Sequence, residues 1–136
     1  MSNTQLVPYA TVILRLALAV LFFAHAWLKL TIYTPAGTVK YFQSIGLPGF
    51  VAYMTIAGEF AVGVGLLLGV LTRIAALGGC IIVLGTIVTV HGSKGWLFTN
   101  KDGGWEYPAF WLVTLIVQAL LGDGAWALGP SLGLAL

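Results

Sequence analysis

Four long apolar stretches, broken by very few ionisable residues, set the limits on what this chain can fold into. They run over about 9–30, 50–71, 73–91 and 107–128. Each has close to the 20 or so apolar residues that an α-helix needs to cross a bilayer. Charged residues are 7% of the chain and hydrophobic ones 60%, against about 25% charged in a soluble domain. Mean hydropathy is +1.01. Lipid is the solvent such a chain calls for. In lipid only helices or closed barrels pair every backbone amide internally. Strict alternation of apolar and polar residues is absent, so the expectation is all-α: a four-transmembrane-helix antiparallel bundle, with residues 1–136 forming one integral membrane unit.

Punctuation supports this division. Pro8 suits a helix start. Pro35 and Gly37 follow the first stretch, and Gly46-Leu47-Pro48-Gly49 precedes the second. Almost nothing separates the second and third stretches, so they form an antiparallel hairpin. With four crossings both termini share one side, here side A. Side B carries two longer connections, residues 31–49 and 92–105. Residues 1–5 lack the basic start of a secretory signal, so the first helix is expected to be retained. Trp96, Trp105 and Trp111 are expected near one interface and Trp126 near the other. Gly65 with Gly69, and Gly78, Gly79 and Gly85, are expected to allow close helix approach.

Other classes of partner find little support. The net charge of +2 is thinly spread, without a basic run, which argues against nucleic acid. The lone Cys80 excludes an internal disulfide and reads as a packing residue.

An ionisable group inside lipid is expensive and, by default, functional. Arg15, His25, Lys29, Glu59 and His91 are the candidates, with Glu106 and Tyr107 opening the fourth helix. At 1.5 Å rise per residue, His25 lies about 8 Å, and Glu59 about 14 Å, below the side B ends of their helices. Side chains tilt toward their own helix N-terminus, so His25 leans down and Glu59 leans up. Arg15, Phe22, His25 and Lys29 share one arc of the first helix, Cys80, Leu84 and His91 a stripe of the third, and Trp111, Thr114 and Gln118 one of the fourth. These faces are expected to meet around one pocket near side B. Bland readings stand beside this one: a Glu59–Arg15 pair pinning two helices, Lys29 snorkelling to the interface, Glu106 as a helix start, and Asp123 as a turn.

Two histidines and a carboxylate are a conceivable metal set, but none has the spacing of a known motif, and no metal ligand is assigned. A quinone headgroup is the other option. His25, Glu59, His91 and Tyr107 would meet its oxygens and handle protons, with Phe22, Phe60, Phe110 and Trp111 as walls. No intrinsic cofactor is expected from any nucleotide, haem or nucleophile motif.

Leu14-Arg15-Leu16, Phe23-Ala24-His25-Ala26 and Lys29 resemble the opening helix of the DoxX family. So do Tyr41-Phe42, Gly46-Leu47-Pro48, Glu59, Gly69-Val70-Leu71-Thr72-Arg73, His91 and Glu106-Tyr107. Ala26 departs from the glycine that often follows the histidine. The resemblance implies a four-helix protein of the bacterial or archaeal cytoplasmic membrane, with both termini in the cytoplasm. Some relatives are subunits of a thiosulfate:quinone oxidoreductase, and others are described as membrane partners of soluble redox enzymes. The leading expectation is a small redox-associated membrane protein that binds a quinone headgroup and serves an oxidoreductase as subunit or partner. His25 and Glu59 would handle protons, Arg15 would act as a more distant charge, and Lys29, His91, Glu106 and Tyr107 would line the site. Two alternatives stay open: a non-catalytic anchor subunit of a larger membrane complex, and a protein handling a small molecule or metal. Whether the chain turns over substrate by itself stays open as well.

Overall fold

The computed structural model describes all 136 residues. It contains five α-helices and no strand: α1 (Asn3–Thr31), α2 (Thr34–Ser44), α3 (Gly49–Leu68), α4 (Thr72–Thr86) and α5 (Glu106–Leu121). Helix α4 continues through a π-helical turn, Ile87–His91, and a 3₁₀ turn, Gly92–Lys94. Three helical runs, Asn3–Thr31, Gly49–Leu68 and Thr72–Lys94, are long and apolar enough to cross a membrane, and α5 is a shorter apolar fourth. Around the bundle α1 packs on α3, α3 on α4 and α4 on α5; the α1–α5 seam that closes the ring is the sparsest.

Only 26 of 136 residues are buried. Val20, Ile81, Val88, Phe110 and Leu120 all stand outward from the helices. A soluble monomer does not present apolar surface on this scale; lipid covers it here. The thin core joins Leu18, Phe22, Leu66, Val83, Trp111 and Leu115. Gly79 makes room for it: a Cβ there would lie 2.8 Å from Phe22 Cζ. Gly65 likewise admits Ala75 of α4, whereas Gly85 faces open space and packs on nothing.

Three boundaries differ from the sequence reading. The connection 31–49 contains α2, because Pro35 sits in the first turn of a helix, where its fixed φ and missing N–H fit. Helix α1 starts six residues earlier than read, at Asn3, with Ser2 N–H donating to the Gln5 side chain at 2.8 Å, half of a capping box. Helix α5 ends at Leu121 rather than near 128, because Gly122 turns the backbone to φ 84°. The remaining chain folds back beneath side A. There Ala125 N–H donates to Pro8 O (3.0 Å), Leu128 N–H to Leu68 O (2.9 Å) and Gly129 N–H to Gly69 O (2.8 Å).

Two arginines complete this end. Arg15, 1% exposed, donates through Nη1 to Leu66 O (2.8 Å) and Leu67 O (3.0 Å) and through Nη2 to Ala125 O (3.1 Å). Arg73 donates through Nη1 to Ala119 O (2.7 Å) and Leu120 O (2.9 Å). The last carbonyls of a helix lack intrahelical partners and carry partial negative charge. Each guanidinium therefore closes the C-terminus of a neighbouring helix, α3 for Arg15 and α5 for Arg73.

Candidate functional site

A cavity of about 270 Å³ opens between the side B halves of α1, α3, α4 and α5. His25, Lys29, Glu59, Thr86, His91 and Tyr107 line it, and Ile82, Val83, Pro108 and Trp111 complete the wall. In a molecule with so few charges, this chamber collects both histidines, the one mid-helix acid and a lysine.

The ion pair at its heart is Lys29 Nζ to Glu59 Oε1, 2.8 Å, with side chains 16% and 4% exposed. Lys29 therefore turns inward rather than snorkelling. Arg15 is not the partner of Glu59; its guanidinium is committed to carbonyls at side A, and it lies outside the chamber. Ten residues of helix separate Arg15 from His25, about 15 Å of rise. Lys29 uses only one carboxylate oxygen. Glu59 Oε2 is buried without a protein hydrogen-bond partner.

Both imidazoles are oriented alike. His25 Nδ1 lies 2.8 Å from Leu21 O, and His91 Nδ1 lies 2.8 Å from Gly103 O. A carbonyl only accepts, so each Nδ1 donates. In the neutral ring Nε2 then carries the lone pair. No protein hydrogen bond engages either Nε2. Aromatic packing fixes the His25 ring: Trp111 at 4.8 Å between centroids, and Tyr107 stacked at 6.5 Å with 19° between planes.

His91 reaches the chamber through the π turn. Thr86 and His91 line the same wall five residues apart, because the wider π turn, with its i→i+5 hydrogen bonds, takes up one residue more than an α turn. The sequence reading put His91 on a stripe with Cys80 and Leu84. That stripe is broken: Leu84 is half-exposed on the outer face, and Ile82, Val83 and Thr86 face the cavity in its place.

Other expectations move too. Glu106 does not line the chamber; its Oε2 accepts from Phe98 N–H at 2.9 Å and ties down the 95–105 loop. Phe60 packs on Phe23, away from the cavity. Trp111 is 6% exposed, so it belongs to the core rather than the interface, where Trp96 and Trp105 pair edge-on at 4.7 Å. Sequence reasoning passed over Thr86 and Pro108 as lining residues; with the π turn known, the spacing from His91 finds Thr86.

Apolar helices around a polar chamber, with acid, lysine and imidazoles held inside, define a small polytopic membrane protein with an interior cluster of ionisable side chains. The sequence profile of the DoxX family matches residues 10–92, which carry His25, Lys29, Glu59 and His91. The chain belongs to the DoxX family. One relative, named "Putative oxidoreductase CatD", of Bacillus subtilis (strain 168), is 34% identical over 120 residues, 88% of this chain and 84% of that one. Another, named "Inner membrane protein YqjF", of Escherichia coli (strain K12), is 37% identical over 73 residues, 54% of this chain and 55% of that one. No solved structure matches.

Proposed function

We propose that this DoxX-family membrane protein binds a quinone-type headgroup in the chamber and serves an oxidoreductase as its membrane subunit or partner, in a bacterial cytoplasmic membrane. The observation that carries the reading is the unmet bonding capacity of the chamber wall. Glu59 Oε2 is buried with no partner, and the two Nε2 atoms are free. An unpaired buried polar atom costs about 1–3 kcal/mol, a penalty that a ligand with hydroxyl groups relieves, since all three unmet atoms are acceptors and the hydroxyls of the reduced, quinol form donate to them. A bound quinone supplies two-electron, two-proton redox chemistry. The protein's own part is to bind, orient and move protons. His25 Nε2 accepts a proton while Nδ1 stays anchored to Leu21 O. Glu59 Oε2 is the next acceptor inward, and Lys29 stabilises the carboxylate until that proton arrives. Tyr107 offers a flat ring beside His25, and His91 stands on the wall of α4.

The name of the Bacillus relative supports a redox association, and that of the Escherichia coli relative supports the location. The quinone reading is favoured over metal handling because no three His, Cys, Asp or Glu side chains converge as a ligand set. The test is equilibrium titration of the purified chain in lipid nanodiscs with a quinol analogue. Saturable binding that His25→Ala and Glu59→Gln each weaken is the expected result. If wild type shows no saturation, or both variants bind unchanged, the reading fails. Co-purification with a large complex that tolerates both substitutions would establish the anchor-subunit alternative.

A further inference from the structure

The chamber has a second, apolar compartment beside it. A groove of about 120 Å³ runs along the α1–α5 seam. Leu14, Ala17, Leu18 and Leu21 line it from α1, and Phe110 and Thr114 from α5. The Thr114 hydroxyl donates to Trp111 O at 2.8 Å, so the groove offers a ligand almost nothing polar. Tyr107 and Trp111 line both compartments and form the partition between them.

Three observations make this partition a threshold. The α1–α5 seam is the loosest contact in the ring. Trp111 is 6% exposed, yet its indole Nε1–H has no acceptor. Buried Trp N–H groups normally find one. Tyr107 is 44% exposed and no hydrogen bond ties its hydroxyl down. An orphan donor on the partition thus accompanies an orphan acceptor, Glu59 Oε2, on the chamber wall. A ligand that bridges a polar chamber and an apolar groove is an amphiphile: a flat polar head with an alkyl or isoprenoid tail.

Building on the quinone reading, we propose that the ligand enters sideways from the bilayer between α1 and α5, and that the first carbons of its tail lie in the Leu14–Ala17–Leu21–Phe110 groove while its head passes Tyr107 and Trp111 into the chamber. The groove is too small for a whole isoprenoid chain, so the rest of the tail stays in lipid. Trp111 Nε1 is the donor that meets the head as it crosses the partition.

Two probes with the same ring, both kept reduced, separate head from tail: a tail-free dimethoxy-methyl-benzoquinol and its decyl-substituted form. Ala17→Trp fills the groove from an exposed position where folding is tolerant, and Ile13→Trp, 69% exposed on the outer face of α1 and absent from the groove, is the control. An indole in the slot leaves no room for the first tail carbons, so Ala17→Trp is expected to weaken the decyl probe about tenfold or more. The tail-free probe is expected to bind unchanged, and Ile13→Trp to leave both alone. A photoreactive group on the first tail carbons is expected to crosslink to α1 and α5 residues of the groove. Equal losses for both probes, no loss for either, or crosslinks elsewhere on the bundle would overturn the lateral route while leaving headgroup binding standing. Absence of saturable binding of either probe to wild type would remove the headgroup reading and this inference together.

Discussion

Glu59 is the residue whose surroundings say most about the molecule. Its carboxylate is nearly sealed off, 4% exposed, and meets a single cation. Desolvating two charges is costly, and their attraction offsets that cost only with good geometry and further hydrogen bonds. The geometry is good at 2.8 Å, but the second oxygen has no partner. The pair is therefore better explained by binding than by stability, and substitution separates the two. Lys29→Met, which leaves the acid alone in the bundle, is expected to destabilise by about 3 kcal/mol. Glu59→Gln should cost less, about 1 kcal/mol, since the more exposed Lys29 can turn toward the interface. Replacing both, as Lys29→Met with Glu59→Leu, is expected to bring stability back within about 1 kcal/mol of wild type while abolishing quinol-analogue binding. Unfolding free energies in mixed micelles, beside binding titrations, check all three. A double variant as unstable as Lys29→Met alone would show that the pair holds the fold together. The face that carries His25 is legible from helix phase; for Glu59 the sequence offers depth and tilt alone, and the chamber shows that it faces inward. The Lys29–Glu59 pairing is not legible, because Arg15 and Lys29 lie on the same arc of α1 and only tertiary structure shows which of them carbonyls have already claimed.

At the scale of helices, the ends carry the argument. Helix α3 stops at Gly69, with φ 66°, where a Cβ would lie 2.5 Å from Ala127 Cβ and 2.7 Å from Arg15 Nη1. A side chain there is both strained and obstructed. The same spot is where Arg15 caps α3 and the C-terminal segment docks. Arg15→Met removes three charged hydrogen bonds and is expected to cost about 3 kcal/mol or more. Arg15→Lys should recover less than half of that, because an ammonium cannot span three carbonyls as a fork does. Thermal unfolding in detergent reads both effects, and a lysine variant as stable as wild type would refute the fork. The π turn in α4 makes a sharper test. Such turns are rare and cluster at functional sites. Deleting the exposed Val88 removes the extra residue and is expected to restore α-helix with His91 four residues after Thr86, still facing the chamber, so that stability and binding both hold; a loss of binding with the fold intact would show that the π geometry itself sets the ring. The sequence carries no mark of this extra residue, since Ile87, Val88, Thr89 and Val90 suit either helix. Helix α2 does leave a sign: Pro35, which marks the stop of one helix, also sits in the first turn of the next. The α3–α4 hairpin was legible because its link is too short for any other arrangement. The end of α5 is hidden in the sequence because Ala125 to Leu128 is as apolar as the helix it follows.

Taken as a whole, the molecule has two unlike ends and one greasy waist. Side A is closed by two arginines and a returning chain; side B holds the chamber, α2 and the exposed aromatics of the 95–105 loop. The waist is apolar on its outer face all round, and that face is what assigns the protein to lipid. It also gives charge a direction-dependent cost. Lys29 is tolerated in α1 because it points inward to a carboxylate. Val20, nine residues before it on the same helix, is 64% exposed on the outer face. A lysine there has no partner and lies too deep to reach either interface readily. Val20→Lys is therefore expected to lower membrane insertion by about 2.5–3.5 kcal/mol, read as the fraction of chain integrated in a translocation assay. Val20→Leu should insert like wild type, and Val20→Gln should fall between. If Val20→Lys inserts and folds as well as Val20→Leu, that face of α1 is not against lipid but against another protein. The chain would then be one member of a larger assembly whose α1 contact surface Val20 marks.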